Sequence, residues 1–299
     1  MAIEQLERAS IGRPLTRGGV SLFPIYIHGT DGLDIAARPA DLTISEPASA
    51  EAPTITVTTP GGRPTLLVEG ETVTGGQQNR VLNVSVLVPA ASTIEVPVSC
   101  VEAGRWNGRA AFERGRTFAP RRVRRVKTAS VAAAVQSSGR RYSDQGAVWE
   151  MIDYELHSLA VPSSTRAFHD AEVALERDGR AEALSALTKA GPLPGQCGIV
   201  FAHGGRVVAV EIFATAELLA ANWEGLVRAA LLDSPVAVEG RPSVSKALRF
   251  VNRLATGSAT RAPGVGLGEE AHIRTSRLVG QALLFEGGLV HASAFALAA

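Results

Sequence analysis

The stretch that decides the fold runs Leu66-Leu67-Val68-Glu69-Gly70-Glu71-Thr72-Val73-Thr74-Gly75-Gly76-Gln77-Gln78-Asn79-Arg80. It continues through Val81–Pro89 and Ile94–Val101 to Glu102, Gly104, Arg105 and Trp106. Val84, Val86 and Val88 alternate with other residues at the two-residue period of a half-buried strand. Between such runs lie uncharged amides, Gln77, Gln78 and Asn79, closed by Arg80. Amides and guanidinium groups are directional hydrogen-bonding groups suited to sugars and phosphates.

Working outward from this block, short strands with turn chemistry recur. Leu22–Ile27 reads as an early strand in which Pro24 predicts an edge or bulge. Pro39–Pro53 reads as a loop, with a strand at Leu42–Ile44. Ile55 and Val57 alternate up to a Pro60-Gly61-Gly62 turn, which predicts a hairpin with Thr65–Val68. Val81–Val88 and Ile94–Val101 form a second hairpin-length pair. This first half reads as an antiparallel, sandwich-like unit over 18–106.

Gly104–Lys127 changes character. Arg105, Arg109, Arg114, Arg116, Arg121, Arg122, Arg124, Arg125 and Lys127 face the single acid Glu113. The expected form is a solvated connection over 107–141, and the sharper alternative is a nucleic-acid-contacting arm. Trp106, Phe112 and Phe118 are too few for a stacking platform, which disfavours nucleic acid.

From Tyr142 the apolar period becomes helical. Val148, Ile152, Leu156 and Leu159 share a face behind a Ser143 cap, a second helix spans Pro162 to Asp178-Gly179, and a third runs Arg180–Ala190. Hairpins are predicted at Gly204-Gly205 and Gly287-Gly288, with helices between them capped by Thr215 and Ser243. The region 142–298 therefore reads as helices on a small antiparallel sheet, and the fold class as α+β, either in two halves or as one folded unit.

Composition sets limits. Of 299 residues, 45% are hydrophobic and 20% charged, which places the chain among globular proteins. A net charge of +1 supplies no global field for nucleic acid or an anionic membrane. Two cysteines, Cys100 and Cys197, are too few for a disulfide framework. The acidic residues at the N-terminus do not fit a signal peptide, and no apolar run reaches the ~18 residues of a bilayer span. The expectation is a soluble, cytoplasmic protein without membrane contact.

Motifs with chemistry are sparse. There is no Gly-rich phosphate loop ending in Lys-Ser/Thr, and Gly264-Val265-Gly266-Leu267-Gly268 precedes a strand where a dinucleotide turn needs a helix. His28, His157, His169, His203, His272 and His291 are scattered without metal-ligand spacing, so no metal is assigned. The candidates for chemistry are Glu69 and Glu71, whose i, i+2 spacing on an extended chain puts both carboxylates on one face. Cys100 joins them, because a thiol near Arg105 is a candidate nucleophile of depressed pKa, and Glu102 and His291 complete the set. The candidates for ligand binding are Gln78, Asn79, Arg80, Asn83, Arg105, Trp106, Gln145 and Trp149. The alternative is architectural: Asn79 and Asn83 bond neighbouring backbone, and Arg80 pairs with Glu69 or Glu71.

Glu69-Gly70-Glu71, Gln78–Asn83, Leu87-Val88-Pro89, Pro97–Glu102 with Gly104-Arg105-Trp106, Gln145–Trp149, Ser164-Thr165, and His291 before Phe295 resemble one uncharacterised family over about 20–297. It is the ADP-ribosylglycohydrolase-, rhodanese- and phosphatase-associated protein domain family, type one. Gln77 departs from the bulkier or charged residue the family carries there, and the Arg-rich 105–127 stretch is peculiar to this chain. The resemblance carries no reaction and no cofactor, but it implies a neighbourhood with ADP-ribose and NAD turnover. Two functions follow as expectations. One is an enzyme or binding protein for an ADP-ribose-like or nucleotide small molecule. The other is a non-catalytic interaction or structural module forming a homo-oligomer. Convergence of Glu69, Arg80, Cys100, Glu102, Gln145 and His291 on one hollow would favour the first.

Overall fold

The computed structural model describes residues 3–27, 33–37, 41–47, 53–108, 110–177, 179–233, 240–241 and 243–297. His28, Asp178 and the parts of the Pro39–Pro53 loop at 39–40 and 48–52 lie outside the described residues.

A 3-10 helix (Glu4–Arg8) precedes β1 (Ser10–Ile11), β2 (Leu15–Arg17) and β3 (Val20–Tyr26). Then come β4 (Thr43–Ser45), β5 (Thr54–Thr58), β6 (Thr65–Leu67), β7 (Glu71–Gly75), β8 (Arg80–Leu82), β9 (Val86–Val88), β10 (Thr93–Cys100) and β11 (Ala111–Phe118). The helical part holds α1 (Arg121–Ser138), α2 (Gln145–Ser158), a second 3-10 helix (Phe168–Glu176) and α3 (Arg180–Ala190). After β12 (Gly198–His203) and β13 (Arg206–Phe213) come α4 (Ala216–Leu232) and α5 (Val244–Thr256). The described chain closes with β14 (Ala259–Pro263), β15 (Glu269–Arg274), β16 (Leu278–Phe285) and β17 (Gly288–Ala296). No helix among the described residues is long and apolar enough to cross a membrane.

The class is α+β. In the first half the antiparallel strands curl onto themselves, so the sandwich-like unit is a barrel closed in the order β10-β5-β4-β11-β7-β8. Closure removes the two exposed edges an open sheet would present. The expected hairpin of β5 with β6 does not form: β5 pairs with β4 and β10, while β6 leaves to pair with β9. A Pro-Gly-Gly turn permits a reversal but does not choose the partner.

Among the described residues nine strands form the second sheet, on the path β1-β3-β12-β13-β17-β16-β15-β14 with β2 also on β3. Pro24 is therefore flanked on both sides and is not at an edge. Its carbonyl accepts from Gly12 N, so its missing N–H faces the break between β1 and β2, where no ladder bond is lost. The run Ile199-Val200-Phe201-Ala202 is buried throughout because both faces of this sheet are covered. Ile199 and Phe201 pack into the core shared with α2, α3 and α4, while Val200 and Ala202 pack against Phe250, Val251 and Leu254 of α5.

The 107–141 stretch is not a solvated connection. It contains β11, a barrel strand, and α1, which contributes Val123 to the core of the large sheet and Val131 and Val135 to that of the barrel. Arg121, Arg124 and Lys127 are buried with it. The cap of α2 is Asp144, whose side chain accepts from Ala147 N, and Ser143 instead meets Ser99 Oγ. Ser163 and the residues after it open the Phe168–Glu176 3-10 helix in place of an α-helix. The hairpins at Gly204-Gly205 and Gly287-Gly288 and the helix Arg180–Ala190 stand where the pattern puts them.

Candidate functional site

The polar block of the first half divides into two sets of contacts. Glu69 and Gly70 form a turn, with Gly70 at φ +84°, so Glu69 and Glu71 do not lie on one extended face. Glu71 accepts from Val68 N and from Arg114. Glu69 turns inward. Its carboxylate meets Arg124 Nη2 at 2.7 Å, Lys127 Nζ at 2.8 Å and Ser293 Oγ at 2.9 Å. Gly70 is required there, because a Cβ would stand 2.2 Å from Arg124 Nε.

From Glu69 the contacts close into a ring. Arg124 Nη1 meets Glu211 Oε1 at 2.7 Å, Glu211 Oε2 lies 3.1 Å from His291 Nε2, and His291 Nδ1 lies 2.8 Å from Ser85 Oγ. Ser85 Oγ in turn accepts from Glu69 N at 2.9 Å. The ring joins a barrel turn, the β8–β9 connection, β13, β17 and α1. Burial alone would raise the Glu69 carboxyl, but Arg124 and Lys127 outweigh it and hold it at about 2. Burial lowers Lys127, and Glu69 opposes that. Arg124 is raised: burial works against its charge, and Glu211 and Glu69 overcome it. Lys127 also donates to the carbonyl of Asn83, whose side chain joins Ser99 Oγ to the Arg141 carbonyl.

Ser85, His291 and Glu211 have the composition of a hydroxyl–imidazole–carboxylate relay, yet Ser85 is 3% exposed and His291 0%. A cavity of about 30 Å³ touches the ring at Arg124 and Glu211 and reaches Arg121, His203 and Asp233. It has room for about two waters and for no metabolite. His203 beside it is pushed down to about 4 by burial. Glu155, linked through Arg122 to Asp233, is raised to about 7 by burial and by Asp233.

The second set is a clamp around Glu102. Gln78 Nε2 donates to the Glu102 carbonyl at 2.8 Å, and Asn79 N to its carboxylate at 3.2 Å. Arg105 grips the same carboxylate at 2.7 Å, and also Asn79 Oδ1 and the carbonyls of Gly75 and Gly76. Burial would raise Glu102, but Arg105, Asn79 N and Thr165 hold it low. Arg80 pairs with neither Glu69 nor Glu71; it donates to Gln78 Oε1 and Cys100 Sγ and stands 3.9 Å from Glu46. Gln145 plugs both ends of its amide into the Cys100 backbone, accepting at 2.8 Å and donating at 2.9 Å. Burial pushes the Cys100 thiol up and Arg80 opposes it only in part, the reverse of a reactive, depressed thiol. Trp149 is half-buried against the core, and Trp106 is 64% exposed.

The candidates therefore fall into two separate sets of contacts. The large concave surface lies next to them: a cleft of about 1210 Å³ walled by the Phe168–Glu176 3-10 helix, α3 and α4. None of the candidate residues lines it. The clamp supports it from behind. Glu102 bridges Ala167, Gly104 N donates to Thr165 O at 2.7 Å, and Phe168 N to Val101 O at 2.9 Å. A Cβ at Gly104 would stand 3.0 Å from Thr165 Cα, a tight approach that glycine admits without displacing the chain at Thr165. On the helix so anchored, His169 and Glu172 eclipse at the i, i+3 spacing of a 3-10 turn, with Nδ1 3.2 Å from Oε1. The bond to Glu172 raises His169. Burial would raise Glu172, but His169, Thr117 and Arg228 hold it down. Arg228 Nε meets Glu224 at 2.9 Å on the opposite wall.

Residues 8–295 match the model of the ARPP-1 family, the ARG and Rhodanese-Phosphatase-superfamily-associated Protein domain. The chain belongs to that family. No curated protein and no solved structure matches it. Within this ARPP-1 fold, Ser85, Arg124, Lys127, Glu211 and Ser293 complete the contacts, and the sequence reading missed all five as site residues. One signal for Glu211 was present, since it is the lone carboxylate in the otherwise apolar strand Val207–Phe213, and a charge buried there requires a partner. Among the described residues no three His, Cys, Asp or Glu side chains gather as a metal site.

Proposed function

We propose that this protein is a binding module of ADP-ribose-type metabolism that takes an ADP-ribose-class nucleotide in the cleft between the 3-10 helix, α3 and α4. The polar block serves it as a rigid backing and performs no chemistry. The observation that carries this reading is the backbone bridge Glu102–Ala167, which ties the family-like residues to the wall presenting His169 and Glu172. The cleft, at about 1210 Å³, exceeds the few hundred Å³ a nucleotide fills. Arg116, Arg177 and Arg228 offer forked donors for a diphosphate, and Asp170, Glu172 and Glu224 offer acceptors for ribose hydroxyls. The choice of ADP-ribose rests on reading ARG in the family description as ADP-ribosylglycohydrolase, which is a link of neighbourhood.

Calorimetry with ADP-ribose, NAD and nicotinamide, followed by chromatography of the recovered ligand, tests it. ADP-ribose should bind and return unchanged, and Arg228→Ala should weaken it about tenfold. No heat from any of the three would end the proposal. A second reading, an interaction module that self-associates, is favoured by Trp106, a large aromatic 64% exposed beside the Arg105 clamp. A monomeric mass in light scattering would end that one.

A further inference from the structure

α5 buries Ala247, Phe250, Val251, Leu254 and Ala255 against the large sheet. Lys246, Arg249 and Arg253, at i, i+3 and i+7, share another face of the same helix. Arg206 at the start of β13 and Arg277 before β16 stand beside them. Together these five cations line a groove of about 530 Å³ whose other walls are Gly205, Val207, Phe250 and Ala296. No carboxylate lines it among the described residues.

Several exposed arginines elsewhere do meet acids: Arg63 with Asp34, Arg116 with Glu224, Arg166 with Asp153 and Arg261 with Glu269. Among the described residues none of the five groove cations has a carboxylate partner, and Lys246 Nζ is held 3.0 Å from the Gly205 carbonyl. Like charges gathered in a concave, low-dielectric wall repel one another and focus an attractive field on anions.

We infer that this groove is a binding site for a small molecule carrying two or more adjacent phosphoryl groups, separate from the cleft between α3 and α4. Arg249 and Arg253 would each fork two donors onto phosphoryl oxygens, and Lys246 would supply a point charge. The volume falls within the range of small-molecule sites. Nucleic acid fits less well. A net charge of +1 provides no extended field along a backbone, and Phe250, 4% exposed, offers no stacking face. A lipid surface also fits less well, because the main apolar face of α5 is already spent on the sheet.

Calorimetry on the full chain with inorganic orthophosphate, pyrophosphate and triphosphate tests the assignment. Affinity should rise along that series and fall with added salt. Arg249→Ala with Arg253→Ala should weaken triphosphate about a hundredfold, and Arg166→Ala, at an exposed arginine paired with Asp153 outside both cleft and groove, should leave it unchanged. Both substituted groove side chains lie outside the core, and a melting curve verifies the fold. Should the double alanine variant lose stability, Arg249→Lys with Arg253→Lys should still weaken binding, because the forked contact is lost. Equal triphosphate affinity in wild type and the folded variants would overturn the proposal. So would an RNA oligonucleotide or a phosphatidylserine vesicle binding the groove more tightly than triphosphate. ADP-ribose binding lost in the groove variants but kept in Arg228→Ala would support the groove and contradict the cleft.

Discussion

Helices α1 and α5 are both rich in cations, and the protein treats them in opposite ways. On α1, Arg121, Arg122, Arg124 and Lys127 lie against Asp233, Glu155, Glu69 and Glu211, four acids brought from four distant places in the chain. On α5, Lys246, Arg249 and Arg253 face solvent with no acid beside them among the described residues. A run of positive charge in a sequence therefore says nothing by itself about burial. What decides is whether other segments deliver carboxylates to it. Where they do, the charges join two sheets; where they do not, an anion from solution can complete the set.

The comparison can be broken most directly at Arg124. Arg124→Ala leaves Glu69 and Glu211 buried without their shared cation and should cost about 3–5 kcal/mol in urea unfolding. Arg249→Ala should stay within about 0.5 kcal/mol of wild type. Equal losses in the two would erase the distinction.

A pH series gives the next largest effect. Glu69 is held at about 2 against an ordinary 4.5, so its stabilisation is present above 4.5 and is lost as pH falls toward 2. Glu155 is raised to about 7, so its contribution is full below 4.5 and is lost as pH rises through 7. Each limb is worth about 3 kcal/mol. His203, held at about 4 against an ordinary 6.5, contributes stability that grows as pH rises from 4 to 6.5 and offsets the Glu155 limb over that range. Glu155→Gln should therefore raise stability at pH 7 relative to pH 4.5 in denaturant titrations, and an unchanged profile would remove Glu155 from the account.

Gly70→Ala perturbs the point where the barrel turn admits Arg124. It should cost roughly 2 kcal/mol from the left-handed backbone and the displaced guanidinium. The smallest effect belongs to Cys100. With its thiol raised by burial, it should resist alkylation in the folded protein, and Cys100→Ala should cost no more than about 1 kcal/mol. Fast alkylation at neutral pH would restore it as a nucleophile.

What the sequence made legible follows from range. The hairpins at Gly204-Gly205 and Gly287-Gly288 and the helix Arg180–Ala190 are fixed by neighbouring residues, and local turn and capping chemistry announces them. Barrel closure through β8 and β10, and the departure of β6 to β9, depend on partners chosen at a distance. The amide block was recognisable as one constellation, since Gln78, Asn79, Glu102 and Arg105 do meet. Their purpose was not, because it lies in the bridge to Ala167, and the cleft beyond it is built from residues of no recognisable motif. The chemistry of Glu69 was hidden for the same reason: its partners on α1 lie more than fifty residues away in sequence, and Ser293 farther still.

A double-mutant cycle on Glu69 and Arg124, read by urea unfolding, tests most directly whether the buried charges act as one joint. Glu69→Gln and Arg124→Met, singly and together, should reveal a coupling of about 2 kcal/mol or more. Stability losses that add to within about 0.5 kcal/mol would contradict it.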